Sequence, residues 1–476
     1  MEREIMAHVA DGAGAVRHAP GRSANPLTGR RAAAVRLANW LREGVFRQQT
    51  GSSVTWRKVL AAIAFVVGGA ALSLARTGGP GALNSIWIED AGNLLNDALH
   101  KPLLTTIATQ FNGYYYLVPR TITAIGLAAG GVKFAPAIMS AGAALEYAGC
   151  ALIAFVASGP HLRSLPLRLL VSVPAVVIPL GYTQANNDLV TVQFVALYGV
   201  FWLLIWRPAG LAAKITAVVV MLGITTTSIL PLVFAPLVVL RLIADRSKAA
   251  ISLAACWAVG IMIQFSVELR GLSNRPDNWY TSPLWVLKNY VTRAVPRAIF
   301  GEHALGGPGT NAEGKAAPLH ITSAAMHDAL IAGAWLVVLV VIVVALARLT
   351  DPNWPLAIVA GAFSVIVFLG EIVNNLPVVQ PRYVIAPALL LYLAIVAMLR
   401  PKAGAIGWLP VGVFAALLLV TVVANYRVTD NGRAQSPAWT SVVDHAQREC
   451  VQQPHLTNVL YQHAWWKVFI PCDRLR

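Results

Sequence analysis

Residues 327–348 read HDALIAGAWLVVLVVIVVALAR, and the stretch between Asp328 and Arg348 carries no charge. At about 1.5 Å of rise per residue, about 20 such residues carry a helix across the hydrocarbon core of a bilayer. Comparable apolar runs stand near 59–75, 135–158, 168–183, 193–206, 213–227, 229–243, 249–268, 355–373, 384–399 and 405–424. The composition agrees, with 57% of the 476 residues apolar and 12% charged, against about 45–50% and about 25% for soluble domains. A soluble enzyme is excluded. The expected fold class is an all-α polytopic membrane protein with about eleven transmembrane helices.

The formal charge of +16 would raise the question of nucleic acid in a soluble chain, but here its placement reads as topology. Short loops at 159–168 (Arg163, Arg168), 207–214 (Arg207, Lys214), 241–248 (Arg241, Arg246, Lys248) and 400–404 (Arg400, Lys402) are basic and alternate with loops almost free of Lys and Arg. Under the positive-inside rule this sets the N-terminus inside and the C-terminus outside. Segment 119–133 is then an outer or partly inserted helix. Residues 1–58, with ten basic and four acidic side chains, are expected to form a cytoplasmic extension. Its early Gly, Ala, Pro and Arg-rich part is expected to be disordered, and Ala32 to Phe46 to form a basic amphipathic helix on the membrane surface. No apolar h-region follows the first charges, so no cleavable signal is expected.

This parity leaves 59–424 as the membrane domain and gathers three long segments, 76–134, 269–326 and 425–476, on the outer face. Polar mass on one side, without self-similar halves, favours chemistry at a surface over symmetric transport. The first outer loop contains Trp87-Ile88-Glu89-Asp90, and an interfacial carboxylate is suited to deprotonate a hydroxyl that attacks an anomeric carbon. The same acids also suit the start of a helix at 91–99. Beyond them stand Phe111-Asn112-Gly113-Tyr114-Tyr115-Tyr116 and Pro119-Arg120. Three adjacent tyrosines otherwise read as an aromatic belt.

The order of one span, an acidic pair in an outer loop, interfacial helices, an aromatic-Pro segment and a second span resembles the GT-C superfamily of polyprenyl-phosphate-sugar-dependent glycosyltransferases. The resemblance covers the chain from about residue 55, without a WWD-type motif or a large soluble C-terminal domain. It implies Asp90, or Glu89 beside it, as the base that activates the acceptor, with Asp90 favoured and Trp87 as an aromatic wall. It also implies a bacterial inner-membrane protein whose site faces the periplasm or the cell exterior. A divalent cation is compatible with that chemistry, and no metal ligand set is assigned.

A lipid-phosphate donor calls for cations. The 269–326 loop supplies Arg270, Arg275, Lys288, Arg293, Arg297 and Lys315 against Asp277, Glu302 and Glu313. Residues 285–297 suit an interfacial helix on which Arg293 and Arg297, four apart, share a face; attraction to anionic headgroups is the plainer account of that run. Arg120 joins the donor-phosphate candidates. In 370–383 (GEIVNNLPVVQPRY), the Arg382-Tyr383 pair resembles the RY segment of bacterial lipid-linked sugar transferases, which implies that Arg382 contacts the phosphate. A Glu371–Arg382 ion pair is its rival. Tyr114, Tyr115, Glu371, Tyr383 and the turn residues Asn186, Asn187 and Asp188 are expected to line a sugar site, although Asn and Asp also form ordinary turns. Glu146, inside a span, is assigned no role. In an oxidising outer compartment Cys450 and Cys472 are expected to bond and staple a small cap, while Cys150 and Cys256 pack within spans.

The expected activity is transfer of a sugar from a polyprenyl-phosphate carrier to a cell-envelope glycan or lipid acceptor. The partners are thus membrane lipid, the lipid-linked sugar and its acceptor, with no nucleic acid. The alternatives are a flippase or transporter of lipid-linked saccharide, or a polysaccharide polymerase or ligase.

Overall fold

The computed structural model describes residues 35–36, 39–49, 55–111, 113–181, 185–272, 282–305, 308–310, 316–318, 324–373, 379–427, 429, 431–463 and 466–475. Most of the N-terminal extension, Thr183, Gln184, Arg275, Asp277, Glu313, Lys315, Asn374, Asn375 and Trp465 lie outside them.

The chain is predominantly helical. Seven helices are long and apolar enough to cross a membrane: α1 (Trp56–Leu74), α3 (Val132–Ala157), α8 (Lys248–Leu269), α9 (Ala325–Leu346), α10 (Trp354–Ile372), α11 (Pro381–Met398) and α12 (Ala405–Ala424). Five shorter apolar helices complete the bundle: α2 (Leu117–Gly130), α4 (Leu165–Val177), α5 (Val192–Ile205), α6 (Leu211–Thr227) and α7 (Leu230–Ala244). Helix α5 and residues Ile385–Met398 of α11 are buried all round, so their sequences show no polar face.

Hydrogen bonds sort the connections into two ends. At one end Arg207 pairs with Asp245 at 3.0 Å, Arg400 pairs with Asp351 and reaches the His161 carbonyl at 3.4 Å, and Arg47 donates to the Pro160 carbonyl. All four basic loops meet there. At the other end lie the first long connection, the segment 178–191, the helices of 283–305 and the C-terminal tail. Trp439 Nε1 donates to the Val132 carbonyl, which sets the finish of α2 at that end, while its start is held by Tyr116 Oη donating to the Val190 carbonyl. Helix α2 forms a hairpin with the first part of α3: a Cβ on Gly126 would come within 2.2 Å of Ile138, and one on Gly142 within 2.8 Å of Ile122.

Where the sequence suggests a span over 168–183, α4 begins at Leu165 and stops at Val177. Pro179 and Gly181, the latter at φ +65°, end the helix, and the described residues 178–181 and 185–191 are irregular and buried. Such backbone survives at membrane depth only where protein groups satisfy it, and here side chains from three segments do so.

The N-terminal segment also departs from expectation. Residues 39–44 are helical, but Leu41, Val45 and Phe46 are buried against the basic end of the bundle. Asn353 Nδ2 donates to the Gly44 carbonyl and Arg207 to the Phe46 carbonyl. The segment therefore docks on the protein, because its apolar face finds a proteinaceous partner before lipid.

The tail forms a helix (Trp439–Gln452) and an antiparallel hairpin (Asn458–His463 with Trp466–Pro471), joined by the Cys450–Cys472 disulfide. Asn84 and Thr440 exchange two hydrogen bonds, and Phe469 N donates to Asn96 Oδ1. The cap thus rests on the helix that carries Glu89 and Asp90.

Candidate functional site

Glu89 and Asp90 open a helix whose first turn, Asp90–Leu95, is π-helical. Adjacent residues on such a turn point in different directions, and the two acids have different partners. Asp90 is buried; its two carboxylate oxygens accept from Leu189 N at 2.9 Å and Val190 N at 3.0 Å. Glu89 is partly exposed and meets Arg382 Nη1 at 3.0 and 3.3 Å. Arg382 begins α11, nearly three hundred residues away in sequence, and its Nε is buried without an acceptor among the described residues. Trp87 Nε1 is in the same condition. Trp87 is buried, so it is not an interfacial anchor. Buried donors left unmet cost about 1–3 kcal/mol each, a cost relieved when a ligand supplies acceptors.

The tyrosines line the same region instead of forming a belt. Tyr114 and Tyr116 are buried and stacked, with ring centroids 5.1 Å apart and hydroxyls 3.3 Å apart. Gln193 Nε2 donates to Tyr114 Oη at 3.4 Å. Tyr115, partly exposed, is fixed through its backbone by Gln264. The Tyr383 ring stands edge-on to Phe194 and 5.7 Å from the Arg382 guanidinium carbon. Glu371 is buried in the last turn of α10, while the acid that pairs with Arg382 is Glu89.

The turn 186–191 is an internal scaffold. Asp188 accepts from Asn186 N, Thr191 N and Thr191 Oγ1. Asn186 Nδ2 reaches Thr77 Oγ1, and Asn187, at φ 55°, exchanges hydrogen bonds with Ser73. These three side chains hold the turn and face protein on every side, as ordinary turn chemistry would have them.

Arg433, which the sequence does not single out, ties the arrangement together. Its buried guanidinium donates to the carbonyls of Ala82, Ser85, Asn186 and Asn187 and to the hydroxyls of Ser85 and Ser140, at 2.6–3.2 Å. One cation from the tail thereby joins the first outer loop, the turn and α3. A lone Arg in a polar tail carries no motif, so only the fold reveals it. Tyr116, whose hydroxyl bonds the same turn, was hidden inside the aromatic run.

The candidate phosphate cations do not converge. Arg120 is buried and committed to Asp97 at 2.8 Å and to the Gln110 carbonyl. Lys288 and Arg293 are exposed while Arg297 is buried, so Arg293 and Arg297 do not share a face. A π-helical turn over Tyr290–Ala294 shifts the helical phase between them. The helix they occupy is wedged among spans, with Tyr290 Oη 2.8 Å from Ser364 Oγ and Tyr392 Oη donating to the Ala298 carbonyl. Among the described residues no three of His, Cys, Asp and Glu gather as metal ligands.

Burial pushes Asp188 up to about 6 and Asp90 well above the ordinary carboxylate range, with the Asp188 charge adding to the rise for Asp90. A carboxyl raised on folding binds its proton more tightly in the folded state. Its contribution is complete below about pH 4 and is lost as pH rises through about 6. Thermal unfolding of the purified protein is therefore expected to show a loss of stability across that window, and Asp188→Asn to flatten it.

Comparison with family models, curated proteins and solved structures finds no match, so what the site does is argued from its own geometry.

Proposed function

We propose that the chain is an inverting glycosyltransferase of GT-C type, moving a sugar from a polyprenyl-phosphate carrier to an envelope glycan or lipid. The observation that carries this reading is the Glu89–Arg382 pair. It unites the acid of the first loop with the Arg-Tyr segment, where Arg382 Nε is buried without an acceptor among the described residues. Between the two acids the geometry favours Glu89 as the base, because both Asp90 oxygens are occupied by backbone amides.

Glu89 would take the proton of the acceptor hydroxyl as its oxygen bonds the anomeric carbon. The bond from that carbon to the phosphate oxygen breaks, the pair of electrons leaves with the phosphate, and Arg382 stabilises the charge that builds there. A single displacement inverts the anomeric configuration. Asp90, the 186–191 turn and Arg433 hold the loop in place.

The basic loops gather at one end, and the positive-inside rule sets that end in the cytoplasm. If α2 is the outer or partly inserted helix read from 119–133, the remaining apolar helices give eleven spans, N-terminus inside and site outside, in a bacterial inner membrane. A deletion strain is expected to make an envelope glycan or lipid lacking one sugar, measured by mass analysis. An unchanged glycan and lipid profile would remove this function.

A further inference from the structure

The last span, α12, stands off from α4 and leaves an open groove of 430 Å³ between them. Leu170 and Val173 wall one side and Gly412, Ala415 and Leu419 the other; every residue lining it is apolar. The gap is not slack in the bundle. Thr421 Oγ1 donates to the Ile299 carbonyl at 3.0 Å, Asn425 Oδ1 accepts from His303 N at 2.8 Å, and the Phe414 ring lies against Tyr392, so α12 is fixed on its other face. A Cβ added to Gly412 would meet nothing within 4 Å.

Both walls belong to helices facing the bilayer, so hydrocarbon is the natural filling. The length selects which hydrocarbon. From Pro166 to Val177 the groove follows about 17 Å of helix, roughly one leaflet of a core about 30 Å thick. That suits a single acyl chain, whereas a polyprenyl chain is far longer.

The Pro166 end is cationic. Arg163 is exposed there, and Arg168 lies partly buried with its guanidinium carbon 3.9 Å from the centre of the Phe155 ring. Arg47, which donates to the Pro160 carbonyl close by, feels the charges of Arg163 and Arg400 and of the acids Glu43 and Asp351. Asp351 is already paired with Arg400, which leaves an excess of positive charge.

We propose that this groove is a lipid site that retains one acyl chain of an anionic phospholipid, with the headgroup phosphate met by Arg163 and Arg168. It is independent of the glycosyl-transfer reading.

The test uses the full chain in lipid nanodiscs with phosphatidylglycerol bearing a photoactivatable group in its acyl chain, and peptide mapping of the labelled sites. Labelling is expected within 166–177 and 408–422. Gly412→Phe, which fills the groove, is expected to lower it at least about fivefold while unfolding stays as in the parent. Arg163→Gln with Arg168→Gln leaves the groove open and is expected to reduce the preference over phosphatidylcholine by roughly fivefold per cation. Equal labelling by phosphatidylcholine in the parent would overturn the proposal, as would undiminished labelling in a folded Gly412→Phe variant. Displacement by equimolar undecaprenyl phosphate would assign the groove to a carrier lipid and overturn it too. Should Gly412→Phe fail to fold, the headgroup preference and the arginine pair decide alone.

Discussion

Replacing Glu89 by glutamine is expected to lower sugar transfer by about 10²-fold or more, the range lost with a general base, while leaving the protein folded. Glutamine keeps the size of the side chain and an oxygen for Arg382, so the contact at 3.0 Å loses charge but not shape. Donor affinity is expected to persist. Asp90→Asn is expected to behave differently. An amide cannot accept on both arms, so the N–H of Leu189 or Val190 would face a second donor inside the protein. The loss is then in stability, about 1–3 kcal/mol for a buried N–H left without an acceptor. Turnover and donor binding measured separately, beside thermal unfolding, distinguish the two. Near-normal transfer in Glu89→Gln with loss of transfer in a fully stable Asp90→Asn would exchange the roles.

The largest stability effect is expected at Arg433. Arg433→Met fills similar space but removes five N–H donors shared among six oxygens and leaves the Asp90 and Asp188 carboxyls without their buried cation. Removing one partner from a buried charged network costs about 3–5 kcal/mol. Arg433→Lys recovers little, because an ammonium has three donors from one centre and cannot span carbonyls on separate segments. The double variant Arg433→Met with Asp188→Asn is expected to lose less than the sum of its parts, since the second change removes the stranded charge. Thermal unfolding of the four proteins in the cycle measures this; strict additivity would mean that the two side chains act separately.

The membrane character was legible because lipid selects apolar length, as in Ala325–Leu346, without reference to any other segment. The alternation of Arg163, Arg207, Arg246 and Arg400 likewise marked the loops that meet at one end. Helix ends were less legible. The stop at Val177 depends on hydrogen bonds that Ser73, Thr77 and Arg433 bring to the 178–191 stretch from far along the chain. The acidic pair was visible as a pair, but which acid faces Arg382 is decided by a π-helical turn that leaves no mark in hydrophobic spacing. Arg120 shows the converse: a cation beside a plausible motif, consumed by Asp97, which no local pattern relates to it. Arg433 was invisible because its importance lies entirely in the carbonyls folded around it.

Formation of a glycosidic bond by this chain is tested most directly by reconstituting the purified protein in vesicles with a polyprenyl phosphate carrying a labelled sugar and an acceptor confined to the site-bearing side. The label is expected on the acceptor with inverted anomeric configuration, and none with Glu89→Gln. Label that crosses the bilayer still attached to its carrier, with no new bond in the parent protein, would contradict it and identify a transporter of lipid-linked saccharide.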